Sequence, residues 1–291
     1  MSTDLDTERA FALISELANE IALDPSARLR DIGFDSLAFT ELASALEESS
    51  GLDLAGADLS DRSTVDDVLR AVEFARRGVP ATGVPAGIGR SQPFAKAAGG
   101  WALRWWFRLE VLGAEHVPRR GPVVLAMNHE SALDVPLAVV ACPRPITFMS
   151  KKELYKNALA SRTLHELGGF QVDRGSFDLR SVRIAMAALR RGDVIGMYPE
   201  GTRAPGRLLP FLLGAAWLAT VAGAPLVPCA ISGTDRTSDA KAPGRVHVRL
   251  EFGPAIEAPV TDDARERRRT VVKLTEDLRS HIGSRLGLTG T

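Results

Sequence analysis

A histidine and an aspartate five positions apart carry the most chemistry in this sequence. They frame Asn128-His129-Glu130-Ser131-Ala132-Leu133-Asp134, directly after the apolar run 122–127. A carboxylate on one imidazole nitrogen fixes the tautomer and leaves the other nitrogen free to take a proton, as in a general base with its orienter. Side chains sharing a helix face are three or four apart, so a step of five does not bring the pair together within a helix. It can do so where a strand gives way to a turn and then to the first turn of a helix. Pro136 fits that geometry, because proline is tolerated in a helix's first turn. Taken alone, the heptad fits equally well a surface histidine near a helix-capping aspartate.

Three other stretches bear chemistry. The apolar run 194–198 leads into Pro199-Glu200-Gly201-Thr202-Arg203, and 169–172 leads into Asp173-Arg174-Gly175. Arg174 and Arg203 carry the planar fork that suits a phosphate or carboxylate, although singly each reads as a surface arginine. In Gly33-Phe34-Asp35-Ser36-Leu37 a serine stands at the start of a helical pattern through Leu42 and Leu46. Free N–H groups and the dipole at a helix N-terminus favour a phosphodiester there, and an N-cap role fits the same spacing.

The elements that must position these residues fall into two groups. Phe11, Ile14, Leu17 and Ile21 recur at helical spacing, as do Val65, Val68, Leu69 and Val72, and Gly51 closes the helix between. Residues 1–77 therefore predict a small all-α helical bundle. Residues 78–100, rich in Gly, Pro and Ala, read as a flexible tether of roughly 25 Å root-mean-square span. From 101 to 291 strand-like runs at 122–127, 146–149, 169–173, 193–198 and 225–231 alternate with helical patterns, which predicts an α/β domain with a mostly parallel mixed sheet. Residues 246–252 alternate apolar and polar, so that strand reads as half exposed, antiparallel and at an edge, with His247 on its polar face. Val271, Leu274, Leu278 and Ile282 mark a closing amphipathic helix. The uncharged stretch 208–234 is broken by Pro210, Gly214, Gly223, Pro225 and Pro228 into a buried helix and a strand rather than one membrane span. Trp101, Trp105, Trp106 and Phe107, with Arg104 and Arg108, read either as an interfacial helix on a membrane or as a helix packed on its own domain.

Charge separates the same two groups. Residues 1–77 hold 17 Asp and Glu against seven Arg and no Lys, a net of −10, and the remainder carries the compensating +10. Such a split implies two surfaces that attract each other or an acidic partner. The arginines of the basic part are scattered, so nucleic acid is not expected. Cys142 and Cys229 stand in apolar surroundings and form no metal-ligand pattern, so no metal is expected and a reduced, cytoplasmic protein is. The acidic N-terminus lacks the apolar region of a secretory signal.

The Gly33–Leu37 pentapeptide, followed by an acidic helix with Glu41, Glu47 and Glu48, resembles the acyl carrier proteins. That resemblance implies a covalent 4′-phosphopantetheine on Ser36. In the basic part four blocks resemble the glycerolipid (lysophosphatidate-type) acyltransferases: Asn128, His129 and Asp134; Gly169 with Asp173-Arg174; Pro199-Glu200-Gly201-Thr202-Arg203; and Pro225-Leu226-Val227-Pro228. Where that family commonly has Phe-Lys-x-Gly, this sequence has Phe211-Leu212-Leu213-Gly214. The resemblance implies catalysis by His129 and Asp134 and an acceptor pocket of Arg174, Glu200, Gly201, Thr202 and Arg203. The reaction it implies moves an acyl group from a phosphopantetheine thioester to a hydroxyl, first of all that of 1-acylglycerol-3-phosphate to give phosphatidate. A specialised-metabolite or other lipid acceptor is a second reading, and a non-catalytic carrier or membrane-docking protein a third. Implied partners are a phosphopantetheinyl transferase, an acyl-loading enzyme, the thioester donor, the acceptor and the inner face of the cell membrane as a peripheral contact.

Overall fold

The computed structural model describes residues 2–18, 24–32, 34, 38, 41–42, 45, 52–53, 63–74, 76–77, 92–151, 157, 161–162, 164–165, 168–172, 179–235, 246–261 and 263–288. The chain divides into two compact units, residues 1–83 with 172–184, and residues 84–171 with 185–291.

In the first unit, helix α1 (Ser2–Ala18) and helix α2 (Val65–Phe74) enclose an apolar core. Ala10, Ile14, Leu29, Phe34, Ala38, Leu42, Val65, Val68 and Val72 fill it. Thr64 caps α2 by accepting from the Asp67 N–H at 3.1 Å, and Asp67 returns the bond from the Thr64 N–H at 2.8 Å, a reciprocal cap of two otherwise free amides. The unit is not purely helical. A two-residue antiparallel pair joins strand β1 (Leu52–Asp53) to strand β2 (Arg76–Arg77), too short to leave a sequence pattern. Ile21 and Leu46 lie outside the described residues.

The second unit opens with helix α3 (Gln92–Trp106), which starts inside the stretch read as a tether. Gly99 and Gly100 look like a breaker in sequence, but Gly100 is buried, and a Cβ there would be in ordinary contact with Val140 at 3.6 Å. The described sheet comprises β3 (Glu110–Leu112), β4 (Val123–Met127), β5 (Ile146–Lys151), β6 (Gly169–Val172), β7 (Val194–Met197), β8 (Leu226–Ser232) and β9 (Arg249–Phe252). Its order is β3-β9-β8-β4-β7-β5-β6. The four strands β8, β4, β7 and β5 run parallel. Strand β4 is buried along its whole length, as a central strand covered on both faces must be. Strand β9 is antiparallel to β8, as its alternation predicts, but it is not an edge, because the short β3 pairs with it in parallel.

Helices α4 (Asp134–Ala141), α5 (Leu179–Arg190), α6 (Gly214–Ala222) and α7 (Ala264–Arg285) are further described helices, beside short 3-10 turns at Leu29–Ile32 and Ala114–His116. The uncharged stretch resolves as expected into a buried α6 and strand β8, with Gly223 at φ 58° ending the helix. Among the described residues no helix is long and apolar enough to cross a membrane. Helix α7 buries Val271, Leu274, Leu278 and Ile282, and Asp263 caps it by accepting from the Glu266 N–H at 2.8 Å.

Helix α3 packs on its own domain, one of the two readings of the aromatic cluster. Its inward face, Gln92, Lys96, Gly100, Leu103 and then Phe107, follows the helical repeat, and Phe107 is buried in the core rather than displayed with the tryptophans. Lys96 donates to the carbonyls of Cys142 and Arg144, Arg104 donates to the Val140 carbonyl, and the Gln92 amide exchanges both its hydrogen bonds with the Ile146 backbone. The outward face presents Phe94, Trp101, Trp105 and Trp106, with Phe94 75% and Trp101 69% exposed. Large aromatics at that exposure are uncommon on a surface facing only water.

Candidate active site

The heptad does what its spacing requires. Strand β4 ends at Met127, and α4 begins at Asp134 with Pro136 in its first turn. The turn between brings His129 Nδ1 to 2.7 Å from Asp134 Oδ2. That same oxygen accepts the N–H groups of Glu130 and Ser131, each at 2.8 Å. Asp134 is fully buried, so three donors on one oxygen hold a charge that would be costly unpaired. Its place in the first turn of α4 adds the favourable end of the helix dipole. The imidazole keeps 15% of its side-chain surface open, and no described residue occupies Nε2.

Neighbouring strands lock this turn from both sides. Toward β8, the Asn128 amide donates to the Ile231 carbonyl at 2.8 Å and accepts the Ile231 N–H at 2.7 Å. Toward β7, Glu200 Oε1 accepts the His129 N–H and Oε2 accepts the Leu209 N–H, both at 2.9 Å, while the Ala204 N–H donates to the His129 carbonyl at 2.7 Å. Burial raises the Glu200 carboxyl pKa, opposed by those two amides. Glu200, expected in an acceptor pocket, thus spends both oxygens on the backbone and positions His129. Gly201 turns the chain at φ 69°, where a side chain would be strained and a Cβ would sit 3.0 Å from Leu212 Cδ1. Thr202 and Arg203 are exposed beside this turn, as is Leu212 at 62%. Asp173 and Arg174 lie outside the described residues.

Two residues that the spacing did not single out belong to the site. The Tyr198 ring stacks on His129 with centroids 4.1 Å apart. Glu130 is buried and accepts from the Thr234 hydroxyl at 3.3 Å. Desolvation, then repulsion from Asp235 and Asp134, pushes its carboxyl from an ordinary 4.5 to about 7. The sign for stability follows. Below pH 4.5 the folded and unfolded chains both hold the proton; between 4.5 and 7 the unfolded chain releases it first, so stability falls as pH rises and stays lower above 7. Glu130→Gln is therefore expected to be more stable relative to the parent at pH 8 than at pH 4.5, by about 1–3 kcal/mol. Urea unfolding at the two pH values measures it, and an equal difference at both would count against a buried, titrating Glu130.

The architecture is thus an open α/β sheet whose His–Asp pair stands at the carboxyl ends of parallel strands, the usual place for chemistry in such sheets. Two stretches of the chain match known family models. Residues 108–232 match the family model described as Acyltransferase, and residues 9–72 match that described as Phosphopantetheine attachment site. The chain pairs a phosphopantetheine-attachment domain with an acyltransferase domain. It is 33% identical over 126 residues to the 1-acyl-sn-glycerol-3-phosphate acyltransferase of Bacillus subtilis, covering 43% of this chain and 63% of that protein. It is also 33% identical over 150 residues to the lyso-ornithine lipid O-acyltransferase of Pseudomonas aeruginosa, covering 48% and 57%. The chain therefore spans less than two thirds of the length of these relatives. A solved structure of the 1-acyl-sn-glycerophosphate acyltransferase of Thermotoga maritima shares the fold, with a TM-score of 0.52, 24% identity, and coverage of 65% of this chain and 78% of that one.

The phosphopantetheine-attachment match spans Ser36, which itself lies outside the described residues. Its described neighbours suit an attachment point: Phe34 and Leu42 bury in the core, and Ala38 is helical and buried.

Proposed function

We propose that the chain is an O-acyltransferase in which His129 activates an acceptor hydroxyl toward an acyl thioester. The observation that carries this reading is the 2.7 Å contact between His129 and the buried Asp134, with Nε2 left unoccupied by any described residue. Nε2 takes the hydroxyl proton as the oxygen bonds to the thioester carbonyl. Asp134 holds the tautomer and stabilises the imidazolium. The tetrahedral intermediate collapses with cleavage of the C–S bond, and the leaving thiolate takes the proton back from His129. Phosphopantetheine on Ser36 would supply the thiol that carries the acyl group, and a thiol of pKa about 8.5 leaves readily. A phosphopantetheinyl transferase and an acyl-loading enzyme are the partners this requires.

The acceptor favoured by the relatives' names is a 1-acylglycerol-3-phosphate, with phosphatidate as product. Arg203, exposed beside the Glu200 turn, has the fork to hold its phosphate. One observation favours a second reading, an acceptor lipid without that phosphate. The rim next to Gly201 is an exposed Leu212, and a lyso-ornithine lipid enzyme matches at the same identity as a lysophosphatidate one. The deciding experiment loads Ser36 with a set of acyl groups, offers lysophosphatidate and non-phosphate lyso-lipids, and identifies products by mass spectrometry. Turnover only with the phosphate-bearing acceptor supports the first reading; turnover only without it replaces that reading by the second.

The outward face of α3 supports peripheral contact with the inner face of the cell membrane, where such acceptors reside. Indole rings prefer the headgroup region, and the exposed Arg104 and Arg108 favour anionic lipid. Trp101→Ser with Trp105→Ser is expected to lower co-sedimentation with anionic vesicles by about tenfold or more, since each indole contributes roughly 1–2 kcal/mol at an interface. Unchanged co-sedimentation would remove the membrane from this reading.

A further inference from the structure

We propose that Tyr198 is a positioning residue that sets the plane of the His129 imidazole, and so the aim of Nε2, through a stack of rings built across three strands. This rests on His129 being the base. His129 follows β4, Tyr198 follows β7, and Phe148 lies in β5, strands adjacent in the order β4-β7-β5. Their rings form a graded stack: His129 to Tyr198 at 4.1 Å and 25°, Tyr198 to Phe148 at 6.3 Å and 13°.

The stack answers a geometric need. The hydrogen bond from Nδ1 to Asp134 pins one atom of the imidazole, but a ring held at one atom can still tilt about that contact. A flat face at stacking distance removes the tilt. The backbone amides and carbonyl of the His129 loop hold the main chain and leave the ring plane unspecified, so Tyr198 supplies what they cannot.

Room for the stack is made deliberately in β7. Gly196 lies beneath Phe148, and a Cβ there would come to 2.6 Å from Phe148 Cε1 and 2.8 Å from Ile146 Cγ2. A side chain at 196 would lift Phe148 off the strand and away from Tyr198. The Tyr198 hydroxyl is buried and has no hydrogen-bond partner in the described structure. The ring, not the hydroxyl, is therefore the part that acts.

Steady-state kinetics on the full-length carrier-loaded chain test the proposal, with folding checked by melting temperature. Tyr198→Leu is expected to lower kcat about 10–100-fold, the cost of misaiming a base by a fraction of an ångström to one ångström. KM for the acceptor should stay within about twofold, because the substitution removes no side chain assigned to acceptor binding. Tyr198→Phe, which restores the ring alone, should bring kcat back to within about threefold of the parent. Phe148→Leu, one ring further out, should lower kcat by a smaller factor and leave KM unchanged. His129→Ala is run beside them. Parent kcat in folded Tyr198→Leu, with His129→Ala inactive, overturns the stack and spares the base; so does a loss that Phe fails to restore. If Tyr198→Leu does not fold, parent kcat in folded Phe148→Leu overturns it instead. Full turnover by His129→Ala overturns the base, and the proposal with it.

Discussion

Replacing His129 with alanine is expected to slow acyl transfer about 10²–10⁴-fold, the usual share of a positioned general base. The fold should survive the change. The two backbone bonds of residue 129, to Glu200 and from Ala204, do not involve the imidazole and remain. Asp134 loses one of its three donors but keeps the N–H groups of Glu130 and Ser131 on the same oxygen. The other carboxylate oxygen, Oδ1, is buried with no partner among the described residues, so the stability cost should be that of a hydrogen bond to a charged group, about 1.5–3 kcal/mol. Single-turnover transfer from a loaded carrier, read by mass spectrometry, separates the chemical step from product release. A folded His129→Ala chain with parent turnover would falsify the mechanism, because no other described group stands where Nε2 stands.

Much of this site was legible before any fold was available, for identifiable reasons. The five-residue step from His129 to Asp134, followed by Pro136, admits few backbone paths, and the one it demands is the one found. Strands β4, β7 and β8 could be read because central parallel strands are apolar on both faces and need no alternation. Helix α3 begins earlier than the sequence pattern predicts because Gly99 and Gly100 carry the signal of a loop, whereas Gly100 sits buried within the helix, where a Cβ would make only ordinary contact with Val140. The alternation in β9 predicts an edge because it shows that one face is wet, which a strand one place in from the edge also satisfies. The three residues of β3 are too few to announce themselves.

What the sequence did not yield depends on strand order. Nothing in the spacing of Phe148, Gly196 and Tyr198 marks them as neighbours of His129. They become so only when β7 inserts between β4 and β5. The family resemblance groups Glu200 with Thr202 and Arg203, and the turn at Gly201 sets their side chains in different surroundings. Its carboxylate faces inward to two amides, and the side chains after it face solvent. Contiguity in sequence says that residues share a loop, and not which side of it they face.

The second large effect concerns the donor. Ser36→Ala removes one oxygen and, with it, the attachment point, so transfer from the chain's own carrier should fall to background while added loaded carrier still supports it. The parent's advantage is one of concentration. If residues 78–91 act as a short flexible tether, the carrier is held near its partner at an effective concentration of about millimolar. The net −10 on residues 1–77 against +10 on the remainder, read from the composition, adds attraction that screens with salt. Two comparisons test this. With no other carrier present, equal product from the parent and Ser36→Ala would sink the role assigned to Ser36. With the parent loaded, free acyl-coenzyme A at micromolar concentration should compete poorly, and its preference over the tethered thioester would mean that the carrier serves another enzyme. The variant leaves the second unit untouched, so restored turnover on adding loaded carrier assigns the defect to the arm rather than to His129, and raising salt should then slow transfer from the added carrier more than transfer within the intact chain.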